Sequence, residues 1–323
     1  MPLYTNNNTA TISVGSNKTT YLGGATLQRK KAYLALLTQT FIIGFSFLFV
    51  KIGLNYATPM DILAHRFLLA FLVANLIVAN GKISLTIDLK TIKRYAPLAL
   101  FYPVLFFAFQ AYGLVYTTSS EAGIIQATVP VFTLIIAGIM LKERTNLLQK
   151  SGIVLSVAGV IYISLMNSSV SGNYSFKGLA FITVSALSFA FYGVLVRKTM
   201  HNTNNSPFTL TYIILMLGAV VFTSLSVGLH VKENNLQNFF APLLQWEYAV
   251  ALLFLAVLSS LASSFLSIYG LKYIEASKAA VFNNLATLIT VVAGVLFLNE
   301  QLHSYHVIGA VIILAGVFSA NRK

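Results

Sequence analysis

Long apolar tracts without a charged residue recur along the whole chain. They cover residues 32–50, 67–81, 95–120, 122–141, 151–176, 178–196, 199–231, 248–271, 279–299 and 301–321. A bilayer core of about 30 Å needs about 20 apolar residues of helix. All tracts but the second reach 19 residues, and the second is preceded by apolar Ile62, Leu63 and Ala64. The tracts do not alternate as barrel strands do. The pattern therefore predicts an all-α membrane protein with ten transmembrane helices.

The charge distribution gives these helices a direction. Only 9% of the residues are charged, against about 25% in soluble domains. If the N-terminus lies inside, seventeen basic residues fall in inner segments and three in outer loops. Such a bias sets membrane topology, so it predicts a multi-pass protein of the cell (inner) membrane with both termini cytoplasmic. The net charge of +13 is spread over many short loops, so no nucleic-acid partner is expected.

The chain divides into a tail and two similar halves. Residues 1–28 are polar and predict a disordered cytoplasmic tail without a cleavable signal peptide. A shift of 157 residues aligns 112–163 with 269–320 without a gap and gives 14 identities in 52 positions. A shift of 146 aligns the first and sixth spans more weakly. The predicted units are residues 29–167 and 168–323, with five spans each.

An odd number of spans inverts the second half in the membrane. Inverted repeats are common in secondary transporters, whose substrate site lies near the midplane between the halves. Two near-equivalent halves can exchange conformations, which suits alternating access. A duplication kept only for folding is the alternative interpretation.

Several of these stretches resemble a known family. GLVYTTSSEAGIIQATVPVFTLIIAGIMLKER (113–144) is similar to the signature of EamA-like members of the drug/metabolite transporter superfamily. GLKYIEASKAAVFNNLATLITVVAGVLFLNEQ (270–301) resembles a degenerate second copy, in which Thr287 replaces the signature proline, and HRFLLAFLVA (65–74) is also similar. The resemblance covers about residues 32–320. It implies two inverted five-helix repeats, a central pocket, and export or exchange of small metabolites such as amino acids.

Two polar stripes superpose under the shift of 157. Gln126, Pro130 and Thr133 fall on Asn283, Thr287 and Thr290, and spacings of four and three place each triplet on one helix face. Thr133 lies about 18 Å along its helix, near the midplane. These uncharged groups either bind a polar substrate or connect helices, since both uses need the same residue types.

Other mid-span residues leave the same choice open. Gln39 and Gln110 are lone amides that either line the pocket or make packing contacts. The serines of the eighth span favour close helix packing (Ser259, Ser260, Ser263, Ser264 and Ser267). Phe189, Tyr192 and Phe265 either form an apolar pocket wall or face lipid and other helices.

Charged residues are expected mainly at helix ends. His65 and Arg66, at the outer mouth of the second span, either attract an anion or titrate near the pocket, or anchor the membrane interface. Glu143 and Glu300 close matched helices, which favours a structural role. No acidic residue lies mid-span, so facilitated export, exchange or coupling through the substrate's charge is expected.

These observations favour a secondary transporter that exports or exchanges small polar or amphipathic, amino-acid-like or drug-like metabolites. The predicted substrate site is Gln126, Thr133, Asn283, Thr287 and Thr290, with Gln39 and Gln110 as lesser members; the substrate should be neutral or zwitterionic. The expected partners are that substrate and the lipid bilayer. A channel-like facilitator is the alternative. A membrane-embedded enzyme is less favoured, because the sequence has no metalloprotease, serine-hydrolase or phosphate-loop motif. No cofactor or metal is expected.

Overall fold

The fold consists of long helices joined by short connections. The computed structural model describes residues 15–81, 85, 87–141, 146–171, 174–201, 206–280 and 282–321, and none of these forms a strand. We label the long helices α1 (Gly15–Leu54), α2 (Pro59–Ala79), α3 (Leu89–Tyr116), α4 (Ser119–Gln126, continued by Val129–Leu141), α5 (Leu147–Ser171), α6 (Tyr174–His201), α7 (Pro207–Lys232), α8 (Trp246–Tyr273), α9 (Phe282–Leu298) and α10 (Ser304–Asn321). Short helices, Gln237–Phe240 and Ala241–Leu244, connect α7 to α8, and Ala276–Ala280 precedes α9.

Local sequence signals fix where several helices begin. Thr58 caps α2 ahead of Pro59, and Ser206 caps α7 ahead of Pro207. Proline suits the first turn of a helix because the N–H it lacks has no helical partner there. At α4, Thr118 and Glu121 exchange the two hydrogen bonds of a capping box. These caps supply partners for N–H groups that a bilayer could not solvate.

Length and apolarity make this a multi-pass membrane protein. Seven segments of the described chain are long and apolar enough to cross a membrane: Leu27–Leu54, Pro59–Ala79, Leu89–Tyr116, Ser119–Met140, Phe176–Met200, Pro207–Lys232 and Trp246–Tyr273. Three shorter apolar helices lie in α5, α9 and α10, at Leu147–Ile163, Asn284–Leu298 and Ser304–Ser319. The all-helical prediction is confirmed.

Corresponding helices of the two halves pack against each other in opposite directions. In the pair α5–α10, Gly159 faces Ile313, whereas Ile163, one turn later, faces the earlier Gly309. In such a pair, advancing along one helix means retreating along the other, so the two helices are antiparallel. The small residues allow this close approach, because a Cβ on Gly159 would lie 2.7 Å from Ile313.

The pairs α2–α7 and α4–α9 run in the same antiparallel manner. Asp61 near the start of α2 binds His230 near the end of α7, and Asn75 near the end of α2 binds Tyr212 near the start of α7. In α4–α9, Ser120 contacts Glu300, just past the end of α9, and Gly123 contacts Thr287 within α9. In the pairs α2–α7, α4–α9 and α5–α10, each helix therefore packs antiparallel to its counterpart, as expected if a pseudo-two-fold axis relates the two halves.

The remaining contacts obey the same relation. Helix α1 packs on α8 and α9, and its counterpart α6 packs on α3 and α4. Helices α3 and α8 are both irregular near the middle. Helix α3 is kinked within Leu100–Leu105, where the backbone of Tyr102 is extended (φ −146°, ψ 113°), and α8 contains a widened π-helical stretch at Phe254–Ala262. These two irregular segments overlap when the chain is shifted by 157 residues, and a π-helical stretch such as that of α8 frequently marks a functional site.

The N-terminal segment differs from its prediction. Helix α1 begins at Gly15, so residues 15–28 are helical rather than disordered. Extending an existing helix adds one hydrogen bond per residue without a new nucleation cost, which explains how a polar segment continues α1. The rest of the predicted tail, residues 1–14, lies outside the described part of the chain.

Candidate functional site

A narrow central cavity lies between the two halves, where α1, α3, α4, α6, α8 and α9 meet. In this conformation the volume of the cavity is about 30 Å³. Its walls are largely aromatic and aliphatic, with a few amide and hydroxyl groups; they comprise Gln39, Ile43, Phe47, Tyr102, Phe106, Gly123, Gln126, Phe189, Ser267, Ala286, Thr287 and Thr290. A mostly apolar site with few polar groups is typical of small-molecule binding.

The crossing of α1, α4 and α9 forms one wall of the cavity. Thr287 Oγ1 donates a hydrogen bond to the carbonyl of Gly123 at 2.9 Å. Thr290 Oγ1 lies 2.9 Å from the carbonyl of Gly44 and 3.0 Å from that of Ala286. Both hydroxyls therefore connect helices as well as line the cavity, which combines the two uses that the sequence left open.

Gln126 lines the cavity from α4, and a series of hydrogen bonds connects its side chain to α6 and α3. Its Nε2 donates to Ser185 Oγ at 3.3 Å, and Ser185 in turn donates to the carbonyl of Phe106 at 2.9 Å. Phe106 belongs to α3 and lies just beyond the kink at Tyr102. The side-chain oxygen of Gln126 takes no part in this series of hydrogen bonds.

The predicted site residues do not all meet at this cavity. Gln39, Gln126, Thr287 and Thr290 line it. Thr133 lines a second cavity of about 30 Å³, and its hydroxyl donates a hydrogen bond to the carbonyl of Val129 at 2.8 Å. Gln110 is buried at 2% exposure but lines neither cavity. The side chain of Asn283 lies outside the described part of the structure.

Three spaces lie in series along the bundle. The second cavity shares Gln39, Phe189 and Ser267 with the central one and extends toward Ala276, at the start of the short helix before α9. On the opposite side, a wide vestibule of about 910 Å³ reaches Lys51 at the end of α1. Lys51 lies one helical turn from Phe47 of the central cavity, about 6 Å along the axis.

Sequence reasoning missed Tyr102, Phe106, Phe47 and Ile43 as cavity walls. The repeat itself contained a usable signal. The shift of 146 residues carries Ile43 onto Phe189, which was a candidate wall residue, and both line the cavity. The shift of 157 carries Gln110 onto Ser267, but only Ser267 lines the cavity. The symmetry therefore predicts positions better than it predicts orientations.

The two residues expected at the outer mouth of α2 are buried. His65 is 4% exposed and Arg66 is 0% exposed, so the interface-anchor alternative is wrong for both. His65 Nδ1 lies 2.7 Å from the Tyr248 hydroxyl. Arg66 bonds Ser259 and Ser260 of α8, so these two serines do more than allow close packing.

Three carboxylates bind partners that the sequence did not indicate. Asp61 Oδ1 lies 2.9 Å from His230 Nε2, and Glu121 Oε1 lies 3.0 Å from His306 Nε2. Glu300 accepts hydrogen bonds from the backbone N–H and hydroxyl groups of Ser119 and Ser120, at 2.5–2.9 Å. It therefore caps the N-terminus of α4, a structural role that agrees with its expected place at a helix end.

Comparison with known proteins decides the family. The profile of the EamA-like transporter family matches this chain twice, over residues 30–165 and 176–322. The chain belongs to the EamA-like transporter family. The two matches correspond to the two halves that pack in antiparallel pairs, and the resemblance stated from the sequence is confirmed.

Similar proteins cover nearly the whole chain. An uncharacterized transporter, YcxC of Bacillus subtilis (strain 168), is 46% identical over 294 residues, which are 91% of this chain and 94% of that protein. A probable amino-acid metabolite efflux pump of Salmonella typhimurium is 25% identical over 90% of this chain and 95% of its own length. A crystal structure superposes with a TM-score of 0.61 at 16% identity, covering 90% of this chain and 96% of that one, and so shares the fold.

Family and structure together assign the general activity. This EamA-like protein is a membrane transporter, not an enzyme. The observations that bear on how it transports are the antiparallel halves and the three spaces that follow one another between them.

Proposed function

We propose that this EamA-like protein exports or exchanges small polar or amphipathic metabolites, amino-acid-like or drug-like, by alternating access. Ten helices, α1 to α10, would cross the cell membrane with both termini cytoplasmic. The repeats would comprise residues 29–167 and 168–323, inverted relative to each other, with residues 1–28 outside both. The observation that carries the proposal is the central cavity, whose walls come from both halves.

The symmetry of the contacts supports alternating access. Each half contributes the same kinds of contact, because α1 packs on α8 and α9 while α6 packs on α3 and α4. If the two sets of contacts exchange their conformations, a vestibule on one face becomes a vestibule on the other. In this structure the wide vestibule lies on the Lys51 side, and a narrower space lies on the Ala276 side. This arrangement corresponds to a state open toward the outer face.

The cavity also supports a substrate class. Its lining residues include no charged side chain, and its polar groups are amides and hydroxyls set among aromatic rings. Such a lining suits a neutral or zwitterionic molecule with an apolar part. The name of the Salmonella relative, a probable amino-acid metabolite efflux pump, agrees with this class. Asn283 joins the proposed site because it corresponds to Gln126 under the repeat shift.

The test compares two buried glutamines. Cells that overproduce the protein are screened for resistance to toxic amino-acid analogues, and a compound that gives resistance is then measured in proteoliposomes. Gln126→Ala should raise the KM about tenfold, as expected for the loss of one hydrogen bond to a polar substrate. Gln110→Ala is the matched control, because Gln110 is buried but lines neither cavity, and its KM should stay unchanged.

Two results would contradict the proposal. Equal KM values for Gln126→Ala and the wild type would remove the cavity as the binding site. Flux that fails to saturate, without counterflow by unlabelled compound, would instead favour the channel-like facilitator.

A further inference from the structure

Arg66 is a buried cation without an acidic partner. It lies seven residues past the start of α2, about 10 Å along the helix, and is 0% exposed. None of the ion pairs formed by the described acidic residues involves Arg66. Charged side chains within a membrane are costly and are usually paired, and unpaired ones mark functional sites.

Neutral groups hold one edge of the guanidinium. Nε donates to Ser260 Oγ at 2.6 Å, and Nη2 donates to Ser259 Oγ at 2.8 Å. The ring of Phe107 lies 4.0 Å from the guanidinium carbon, which adds a cation–π contact. Nη1 makes no hydrogen bond within the described part of the chain. These contacts orient the guanidinium and leave both its charge and one donor group unmatched.

Tyr102 connects Arg66 to the central cavity. The Tyr102 side chain lines the cavity and is near enough to Arg66 to interact with it electrostatically. Its hydroxyl lies 3.0 Å from Ser264 Oγ, one helical turn beyond Ser260 on α8. A further turn along the same helix, Ser267 lines the cavity. A polar strip of α8 therefore leads from the cavity to the unpaired cation, with Tyr102 beside it.

We propose that Arg66 binds the carboxylate of the transported molecule, with Tyr102 at the entrance to this subsite. The inference rests on the proposed function, since it assigns one end of the substrate of the same cavity. A carboxylate supplies the negative charge and the hydrogen-bond acceptors that the guanidinium lacks, and arginine binds carboxylates through paired N–H donors. The apolar part of the molecule then lies against Phe106 and Phe189, and the substrate is a carboxylate-bearing zwitterion rather than an amine or an uncharged solute.

The test uses full-length protein in proteoliposomes and counterflow of radiolabelled L-leucine. If leucine does not exchange, glycine and the other eighteen standard L-amino acids are offered. Competitors for leucine are L-leucinamide, which replaces the carboxylate by a carboxamide, and isopentylamine, which lacks it; for another amino acid, its own amide and amine serve. Both competitors should bind at least tenfold more weakly than the acid, as expected for the loss of a charge-assisted pair. This comparison needs only the wild-type protein.

Two variants connect this selectivity to Arg66. Arg66→Gln should weaken binding of the acid at least tenfold and leave binding of the amide unchanged, so the preference for the acid disappears. Arg197→Gln is the matched control, because Arg197 is only partly buried and bonds the carbonyls of Leu271 and Lys272. It should keep the preference. A role of Arg66 in packing alone would weaken acid and amide equally.

The outcomes separate this inference from the proposed function. An amide that competes as well as the acid, or an Arg66→Gln protein that keeps the preference, overturns the carboxylate subsite while transport stands. If the protein exchanges an uncharged metabolite but no amino acid, the carboxylate subsite is likewise overturned and transport stands. Absence of saturable exchange for every solute overturns the proposed function and the subsite with it.

Discussion

The packing of α4 on α9 can be tested by adding one methyl group at Gly123. A Cβ at this position would lie 2.8 Å from Thr290 Cγ2 and 2.9 Å from Thr290 Cβ, about 0.6 Å inside the 3.4 Å at which ordinary contact begins. Thr290 cannot turn away freely, because its χ1 is stiff and its hydroxyl is bonded to the carbonyls of Gly44 and Ala286. The two helices must therefore separate.

The magnitude follows from two opposing effects. Overpacking of this kind costs about 1–3 kcal/mol, whereas replacing glycine by alanine inside a helix contributes about 1 kcal/mol of stability. We therefore expect Gly123→Ala to lower the free energy of unfolding by up to about 2 kcal/mol. Thr290→Ser keeps the hydroxyl and removes Cγ2, so the double variant should recover part of the loss, with a coupling energy above about 0.5 kcal/mol.

Thermal unfolding in detergent, followed for both single variants and the double variant, measures these differences. Gly228→Ala is the control, because a Cβ there meets no atom within 4 Å and the change should be neutral or slightly stabilising. If Gly123→Ala is as stable as Gly228→Ala, and shows no coupling to Thr290→Ser, the close crossing of α4 and α9 is refuted.

Two further predictions concern buried and exposed carboxylates. Glu300→Gln should destabilise the protein by about 2–4 kcal/mol, because a carboxylate that accepts four hydrogen bonds loses its charge and one of its oxygens is replaced by an NH₂ group that faces donors. Glu275→Gln, at an exposed ion pair, is the control and should change stability little. Equal unfolding temperatures of the two variants would contradict the prediction. His230→Ala should lower the free energy of unfolding by about 3 kcal/mol, because it leaves the buried Asp61 carboxylate with one partner fewer. Lys278→Ala, which breaks an exposed ion pair, should lower it by less than about 1 kcal/mol. Thermal unfolding measures both variants, and equal losses would contradict the buried pair of Asp61 and His230.

Much of the architecture could be predicted because membrane helices are encoded locally. The charge-free tract 279–299 corresponds to the helix Phe282–Leu298, and 301–321 corresponds to Ser304–Asn321. The repeat also indicated which helices correspond. These signals depend on composition along the chain and need no knowledge of neighbouring helices.

The site could be predicted only in part because it depends on how each helix is rotated. Gln110 and Gln126 are both mid-span amides, yet only Gln126 lines the cavity. Arg66 lies near the start of its helix, where sequence alone places it at the membrane interface. Its burial results from the serines of α8 and the ring of Phe107, which lie far away in the sequence.

The central claim is that two halves of opposite orientation enclose one solute cavity, and a labelling experiment tests it most directly. The chain contains no cysteine, so labelling of a single introduced cysteine shows on which membrane face that position lies. Two exposed positions are suitable: Lys150, near the start of α5, and His303, just before α10. A membrane-impermeant maleimide should label His303→Cys in intact cells and Lys150→Cys only after permeabilisation. Labelling of both cysteines from the same face would contradict the inverted arrangement.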